Sequence, residues 1–569
     1  MGMVDSSSGV VRAEEFAAPM DLLLNSGNKP FVSRMMPDAT WLRFAGSLAR
    51  RPAVVASRAG ALVRELGAIA EGKSGRVPDR SDKRFSDVAW SDNPLLRRIM
   101  QSYLAAAEAV EDLLVDADLE WRDGEKMRFV IDNLVQGLSP SNNPLISPLG
   151  WKAMIDTGGL SAVRGVRAFA RDMRSKPRVP AMVDPDAYTV GETVAVTVGA
   201  VVLRTPVFEL IHYLPSTPTV RTVPLLVIPP VINKFYVLDI APGRSMIEYL
   251  LSQGQQVFVM SWRNPSARHR DWGFDTYAAA IINAMDAVEK ITAIDSTHLL
   301  ATCSGGILAA MTAAHLATTG HGDRVSSLNL SVTVLDETRA GFGAAVMSEN
   351  AAHAAIRASQ RHGYLDGRDM AEMFAWLRPT DLVWRYVVNN YVQGRPPAPF
   401  DVLFWNADTT RMTAALHRDM VLMGVHNALA TPGTIHLLGG PIDLADVTAD
   451  SYVVGGVSDH ISPWQATYRS AQLLGSTNTR YVLSTSGHIA ALVNPPGNPK
   501  ASFRTGPVEP HTTAEQWLAT SQKHSDSWWP DYSAWLAERS GPDTPAPTTL
   551  GADGLAPLAP APGTYVLET

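Results

Sequence analysis

One short stretch, HLLATCSGGILAAM at residues 298–311, contains Cys303, the only cysteine among the 569 residues of the chain. An apolar run typical of a strand leads into Cys303, and two glycines and an alanine-rich run typical of a helix follow it. This pattern is typical of a nucleophile elbow, in which small residues two before and two after the nucleophile permit a strained turn. Ala301 and Gly305 occupy those positions, although glycine is usual at the first. The pattern predicts a thiol nucleophile, and the alternative is an ordinary buried cysteine.

A cysteine nucleophile needs a base, and the base needs an acid that orients it. Asp459 follows an apolar run in VVGGVSDHISPW, and His488 follows the next apolar run in RYVLSTSGHIAALV. The order Cys303, Asp459, His488 is the order of nucleophile, acid and histidine in α/β-hydrolases. The 29 residues from Asp459 to His488 leave room for one helix and one strand. Order, spacing and placement together predict a Cys303–His488–Asp459 triad.

Two other histidines are weaker candidates for the base. His460 adjoins Asp459, but consecutive side chains in an extended stretch point apart, so a secondary role is expected at most. His298 is five residues before Cys303, which is too far along an extended strand. The cysteine, histidine and acidic residues show no spacing typical of metal ligands, so we expect no metal site.

An oxyanion formed beside Cys303 needs backbone N–H donors. The N–H of Ser304, the residue after the nucleophile, is the first expected donor, and the second should come from the loop after an early strand. LLVIPPVINKFY fits that loop, and Val231 is its first N–H donor after Pro229 and Pro230. The alternative is that these prolines only end the strand.

These residues require a particular scaffold. Short apolar runs separated by helical segments predict a parallel sheet covered on both faces. We therefore expect an α/β-hydrolase fold with a mostly parallel sheet, an inserted cap or lid subdomain and a helical N-terminal region. The predicted strands are PLLVIPP (224–230), QQVFVMSW (255–262), THLLATC (297–303), LNLSVTVLD (328–336), SYVVGGV (451–457) and RYVLST (480–485).

The order of patterns along the chain predicts a domain organisation. Helical spacing over 37–71 and 95–137 favours helices before the sheet begins. The predicted parts are a helical region (1–185), the first part of the core (186–336), a cap or lid insertion (337–436), the second part of the core (437–540) and an extended tail (541–569).

Composition excludes some classes of protein. The net charge of −7 gives no reason to expect a nucleic acid partner. The longest apolar run, near 299–317, contains polar residues and two glycines, so we expect no transmembrane segment. The first 20 residues carry acids and lack an apolar segment, so no signal peptide is expected there. A single cysteine excludes a disulfide within the chain and fits a reducing, cytosolic setting.

Several long motifs closely resemble the poly(3-hydroxyalkanoate) synthases, and the resemblance extends from about residue 80 to the C-terminus. They include PPVINKFYVLD, VFVMSWRNP, CSGG, DHISPW, SGHIAALVNPPGNPKA, HSDSWWPDYSAWL and GTYV, with DKRFSDVAWSDNPLLRRIMQSYL and NLVQGLSPSNNPL nearer the start. The pattern is nearest the single-subunit, class II type. Ala301 departs from the glycine usual in the family's box around the nucleophile.

The resemblance implies an activity and its partners. The substrate would be an (R)-3-hydroxyacyl-coenzyme A thioester, the product a polyester with release of coenzyme A, and no cofactor would be needed. The acyl group would be held as a thioester on Cys303. The N-terminal region would support a homodimer and attachment to polyester granules, so the protein would be cytoplasmic and located at the granule surface.

Two readings compete with a synthase. A thioesterase or polyester depolymerase would use the same triad, but with serine as the usual nucleophile and water as the acceptor. A non-catalytic granule-coat protein would leave the ordered Cys303, Asp459 and His488 unexplained. The stretch SWRNP (261–265) is open to two interpretations, a site loop or the turn that ends a strand.

Overall fold

The computed structural model of the protein describes residues 39–80, 82–338, 349–459 and 461–569. Their backbone divides into two units. The sheet unit contains residues 185–367 and 400–569, and the helical unit contains the described residues before 185 together with 368–399.

The described α-helices are numbered here in chain order. They are α1 Ala39–Ala49, α2 Pro52–Ala70, α3 Ala89–Asp92, α4 Pro94–Asp116, α5 Trp121–Gly137, α6 Pro148–Asp156, α7 Leu160–Arg174, α8 Met246–Ser252, α9 Phe274–Thr292, α10 Ser304–Thr318, α11 Glu349–His362, α12 Gly367–Leu377, α13 Asp401–Ala407, α14 Ala414–Val425, α15 Trp464–Gln472, α16 His488–Leu492, α17 Ala514–Thr520 and α18 Trp529–Ala537.

The described strands are numbered in the same way. They are β1 Gly199–Arg204, β2 Phe208–Tyr213, β3 Thr219–Arg221, β4 Leu225–Ile228, β5 Val257–Trp262, β6 Thr297–Thr302, β7 Val325–Ser331, β8 Tyr364–Leu365, β9 Met412–Thr413, β10 His436–Leu437, β11 Gly440–Pro441, β12 Ser451–Gly456, β13 Thr479–Ser484, β14 Ser502–Pro507, β15 Gln522–Ser525, β16 Asp543–Pro545 and β17 Ala559–Pro560.

Proline and asparagine set the boundaries of helices in the helical unit. The helical pattern over 37–71 forms two helices because Pro52, which has no N–H, begins α2. Asn93 caps α4 by accepting hydrogen bonds from the N–H groups of Leu95 and Leu96. Arg58 of α2 pairs with Asp112 and Asp116 of α4, which ties the two helices together.

The sheet unit is built around one large sheet. Its strand order is β15-β14-β13-β12-β7-β6-β4-β5-β2-β1-β17. The six central neighbours from β13 to β5 pair in parallel, whereas the pairs at both edges are antiparallel. These six are the predicted apolar runs, and β4, β5, β6 and β12 are buried along their whole length. The mostly parallel sheet expected from the sequence is confirmed.

The region predicted as a cap or lid, 337–436, divides between the units. Residues 400–436 belong to the sheet unit, whereas 368–399 are grouped with the helices. The latter segment includes two π-helical turns, Thr380–Trp384 and Val387–Val392. Residues 339–348 lie outside the described part of the chain.

The last part of the chain, 541–569, contains short ordered elements. β16 pairs with β3, and β17 pairs with β1 at the edge of the large sheet. A 3₁₀ turn, Tyr565–Leu567, follows, and Tyr565 and Val566 are buried.

No helix in the described ranges is long and apolar enough to cross a membrane.

His298 lies in β6 and is fully buried. Its Nδ1 lies 2.8 Å from Ser327 Oγ, and its Nε2 lies 3.1 Å from Ser540 Oγ. Burial lowers the pKa of His298 to about 3, with a further contribution from Arg539. His298 is therefore neutral at ordinary pH and structural in role, as the sequence led us to expect for a residue so far from Cys303.

This depressed pKa predicts a pH dependence of stability. Because unfolded His298 binds a proton near pH 6.5 and folded His298 only near pH 3, its contribution is present above pH 6.5 and lost as the pH falls towards 3. Between pH 7.5 and 5, His298→Gln should therefore lose about 2 kcal/mol less free energy of unfolding than the wild type. Urea unfolding at each pH measures this. The exposed control His436→Gln should lose as much free energy of unfolding over this pH range as the wild type. An equal loss in His298→Gln and the wild type would refute a depressed pKa for His298.

Candidate active site

Cys303 stands between β6 and α10 with backbone angles of φ 50° and ψ −123°. A positive φ is uncommon for a residue with a side chain and costs of order 1–3 kcal/mol, so the surrounding structure must hold it. The Cys303 N–H donates to Ser331 O at 2.9 Å, which anchors the turn to β7. The backbone at Cys303 thus has the strained strand-to-helix geometry of a nucleophile elbow.

Gly305 lies where α10 approaches the end of β4. A Cβ atom on it would lie 2.3 Å from Pro229 O and 2.6 Å from Ile228 O, so the approach requires glycine. Ala301, by contrast, is a fully buried residue of β6 opposite Ile228 of β4 and Leu330 of β7. The sheet accommodates its methyl group, so alanine at this position is compatible with the elbow.

His488 and Asp459 meet beyond the carboxyl ends of two neighbouring strands. Asp459 follows β12, and His488 begins α16 after β13. His488 Nδ1 lies 2.8 Å from Asp459 Oδ2, and Asp459 Oδ1 accepts N–H hydrogen bonds from Ile461 at 2.8 Å and Ser462 at 2.9 Å. Both carboxylate oxygens are occupied, which holds the imidazole ring in one orientation.

Cys303 interacts with His488 and contributes to raising the pKa of this histidine. Because Nδ1 of His488 faces Asp459, Nε2 is the ring nitrogen left for the thiol. Burial lowers the pKa of His488, but the Asp459 carboxylate and Cys303 together outweigh burial and raise this pKa to about 10. A raised pKa lets the imidazole hold a proton taken from the thiol. The exposed fractions of Cys303, His488 and Asp459 are only 7%, 7% and 2%, so bulk water has little access to the three groups.

Both predicted oxyanion donors lie beside the elbow. Ser304 is the first residue of α10, where N–H groups have no acceptor within the helix. The Val231 N–H donates to Ser304 Oγ at 3.1 Å. In this structure the Val231 N–H is therefore already bonded to the Ser304 hydroxyl. To stabilise an oxyanion, this N–H would have to exchange Ser304 Oγ for the oxyanion.

Two contacts around the site were missed from the sequence. In one, Asp459 accepts hydrogen bonds from the N–H groups of Ile461 and Ser462. The sequence offered a signal for this contact, because an aspartate commonly accepts N–H hydrogen bonds from residues two or three positions later. The other is the Trp262 indole N–H, which donates to Pro229 O at 2.9 Å. SWRNP thus ends β5 and also contacts the loop that carries Val231. His460 lies outside the described residues.

Comparison with known families covers most of the chain. Residues 81–250 match the family described as the N-terminus of poly-beta-hydroxybutyrate polymerase (PhaC). Residues 225–495 match the α/β hydrolase fold family, which confirms the fold class expected from the sequence.

Known relatives share much of the sequence. Poly(3-hydroxyalkanoate) polymerase 1 from Ectopseudomonas oleovorans is 44% identical over 89% of this chain and 89% of its own length. Polymerase 2 from the same organism is 41% identical over 91% of this chain and 92% of its own length. The polymerase subunit PhaC from Cupriavidus necator is 37% identical over 88% of this chain and 85% of its own length.

The close approach at Gly305 predicts the effect of adding one methyl group. Gly305→Ala should lower the free energy of unfolding by about 1–3 kcal/mol, because the new Cβ must push α10 away from the backbone carbonyls at the end of β4. Urea unfolding followed by tryptophan fluorescence measures the change. Gly67→Ala is a matched control, since its Cβ meets nothing within 4 Å in helix α2 and should be neutral or slightly stabilising. Unchanged stability in Gly305→Ala would contradict the packing described.

Proposed function

The chain belongs to the poly(3-hydroxyalkanoate) polymerases, which are acyltransferases, and we propose that it polymerises (R)-3-hydroxyacyl-coenzyme A through Cys303, His488 and Asp459. The observation that carries the proposal is the buried, hydrogen-bonded pair of His488 and Asp459, whose imidazole interacts with Cys303 at the elbow. The sequence motifs favour the single-subunit, class II type. The energy for polymerisation comes from the substrate thioester, so the proposed reaction needs no cofactor.

Acylation begins with transfer of the Cys303 thiol proton to His488 Nε2. The thiolate then attacks the acyl carbonyl carbon, and the N–H groups of Ser304 and Val231 stabilise the resulting oxyanion. Collapse breaks the bond to the sulfur of coenzyme A, which leaves with the proton from His488. The product of this step is an acyl group held as a thioester on Cys303, while Asp459 keeps the imidazole in the required tautomer.

Elongation joins two acyl units by an ester bond. The 3-hydroxyl of an incoming hydroxyacyl-coenzyme A attacks the Cys303 thioester and gives its proton to His488. The new chain then resides on coenzyme A, and the Cys303 sulfur leaves and recovers the proton. Transfer of that longer chain back to Cys303 releases one coenzyme A per added monomer. Asp459 acts through His488 in both half-reactions.

A thiol suits this chemistry better than a hydroxyl. Exchange of an acyl group between two thiols is nearly isoenergetic, so the intermediate on Cys303 remains activated for the next ester bond. A serine ester would leave much less driving force for forming further esters. With one cysteine in the chain, two acyl groups cannot both be cysteine thioesters on one subunit. Either coenzyme A is the second carrier or two subunits pool their Cys303 thiols, and we propose the first. Trapping two Cys303 thiols joined by one polymer would count against this route.

We propose that the protein acts as a homodimer attached to the surface of the polyester granule. A growing polyester is insoluble in water and needs an apolar contact surface. In the helical unit, α6 and α7 expose large apolar side chains, with arginines interspersed along α7. These apolar side chains are Trp151, Ile155, Leu160, Val163, Val166 and Phe169. The proposed location is the cytoplasm, at the surface of the polyester.

Loss of the thiol should abolish the reaction. Cys303→Ala should reduce release of coenzyme A from C4 and longer (R)-3-hydroxyacyl thioesters by at least about 10³-fold and produce no polymer, because no nucleophile remains. Coenzyme A release and polymer composition are measured together, with the exposed Ser252→Ala as control. Free hydroxy acid without polymer from the wild-type protein would favour a hydrolase. Polymer formation by Cys303→Ala would favour a non-catalytic coat protein.

Loss of the Asp459 charge should slow the reaction without removing the nucleophile. Asp459→Asn should reduce the rate of coenzyme A release by about 10²–10⁴-fold, because the pKa of His488 falls and its ring tautomer is no longer enforced. Loss of thioester absorbance follows the rate. The surface control Asp323→Asn should retain wild-type activity, and an equally active Asp459→Asn would show that His488 works without its carboxylate partner.

A further inference from the structure

Lys234 lies three residues after Val231, in the loop 229–234, hereafter the oxyanion loop. It is a charged residue with only 5% of its surface exposed. Its ammonium group donates hydrogen bonds to the backbone carbonyls of Val566 and Glu568, the latter at 2.7 Å. It also pairs with Asp408 Oδ1 at 3.2 Å. A buried ammonium is costly unless such acceptors surround it, so Lys234 has a specific set of partners here.

The acceptors of Lys234 belong to a short segment, 564–568, hereafter the clamp segment. Its first residues are tied to β2, because the fully buried Glu209 side chain accepts the N–H groups of Thr564 at 2.8 Å and Tyr565 at 2.9 Å. Gly563, which precedes the segment, has φ 83°, and a Cβ on it would lie 2.4 Å from Glu209 Oε2. The turn into the clamp segment therefore requires glycine.

The other end of the clamp segment is tied to the loop after β5. The Asn264 N–H donates to Glu568 Oε2 at 3.2 Å, and Arg263 Nε lies 3.2 Å from Glu568 Oε1. The same guanidinium stacks over the Tyr565 ring at 4.0 Å. The segment is thus fixed to β2 and to the end of β5 independently of Lys234.

The oxyanion loop is also held by hydrogen bonds from other parts of the chain. The Trp405 indole N–H donates to Lys234 O at 2.7 Å, and the Trp262 indole N–H donates to Pro229 O. Thr410 Oγ1 lies at the limit of hydrogen bonding, 3.5 Å from Val231 O. Lys234 is the side chain of this loop that reaches a segment more than 330 residues away in the chain.

We propose that the clamp segment, through Lys234, positions the oxyanion loop so that the Val231 N–H, on exchanging Ser304 Oγ for the oxyanion, faces the carbonyl attacked by Cys303. The inference rests on the proposed function, since it concerns the oxyanion donor of that reaction. Lys234 is a positioning residue, because it acts through Val231 and contacts no reacting atom. An oxyanion donor works only within a narrow distance range, and a misplacement of about 1 Å costs on the order of 10² in rate.

The test compares two reactions of the same thiol. Acylation of Cys303 by p-nitrophenyl butanoate forms a tetrahedral oxyanion, whereas alkylation by iodoacetamide displaces iodide at a saturated carbon and needs no oxyanion donor. Lys234→Met preserves the length of the side chain but removes its N–H donors. We expect the acylation burst of Lys234→Met to slow by about 10–100-fold, with alkylation within about twofold of the wild type. The exposed control Lys523→Met should be unchanged in both reactions.

A second pair of variants guards against misfolding of Lys234→Met. Glu568→Ala removes the acceptor for the Asn264 N–H and the partner of Arg263 but keeps the backbone carbonyl that Lys234 meets, and it should slow acylation selectively. Glu568→Gln keeps an acceptor oxygen and should restore much of the rate. A purely structural role would instead slow alkylation and acylation together or leave both unchanged, and either result overturns the proposal.

The experiments distinguish failure of the proposed role of the clamp segment from failure of the proposed function. Release of coenzyme A from hydroxyacyl thioesters is measured on the same preparations. If the wild type reacts with the nitrophenyl ester but with no hydroxyacyl thioester, the proposed function fails. The acylation burst still tests whether the clamp segment positions the oxyanion loop. If acylation by the nitrophenyl ester is as fast in Lys234→Met as in the wild type, the positioning role of Lys234 is disproved and the proposed function stands. If the wild type reacts with neither substrate, both fail.

Discussion

The close approach of helix α10 to the end of strand β4 is the constraint on which the site depends. Gly305 allows the two backbones to come within a distance that any side chain would prevent. The approach places the first turn of α10 against the loop after β4, so that Ser304 and Val231 are in direct contact. It also leaves Cys303 on a turn with positive φ, where the ties to β7 and to the helix hold an otherwise unfavourable backbone.

The parallel sheet supplies the remaining partners by simple geometry. Neighbouring parallel strands end at the same edge, so the loops after β6, β12 and β13 meet there. The burial of His488 and Asp459 makes the hydrogen bond between them stronger than it would be in water. Burial alone would keep His488 neutral, and the raised pKa of His488 reflects the neighbouring carboxylate and thiol. The same low exposure limits access of water to the Cys303 side chain.

Local pattern explains which features were predictable. The apolar runs that became β4, β5, β6, β7, β12 and β13 are short and bounded by turn residues, which distinguishes them without knowledge of the fold. The positions of Asp459 and His488 followed from their placement just after such runs. The contact of the Ser304 hydroxyl with the Val231 N–H was not predictable, because a hydroxyl at a helix start has several possible partners. The grouping of residues 368–399 with the N-terminal helices likewise joins segments separated by some 200 residues, which no local pattern records.

The sequence by itself therefore determined the order of the strands along the chain, the elbow at Cys303 and the residues that stand at the strand ends. These features depend on side-chain type and spacing over a few residues, and such information is local. Tertiary structure alone decided which groups share a hydrogen bond and which donors are occupied. The buried ammonium of Lys234 shows why, because its acceptors are backbone carbonyls of residues 566 and 568. Every residue carries such a carbonyl, so only the folded chain selects the pair that Lys234 meets.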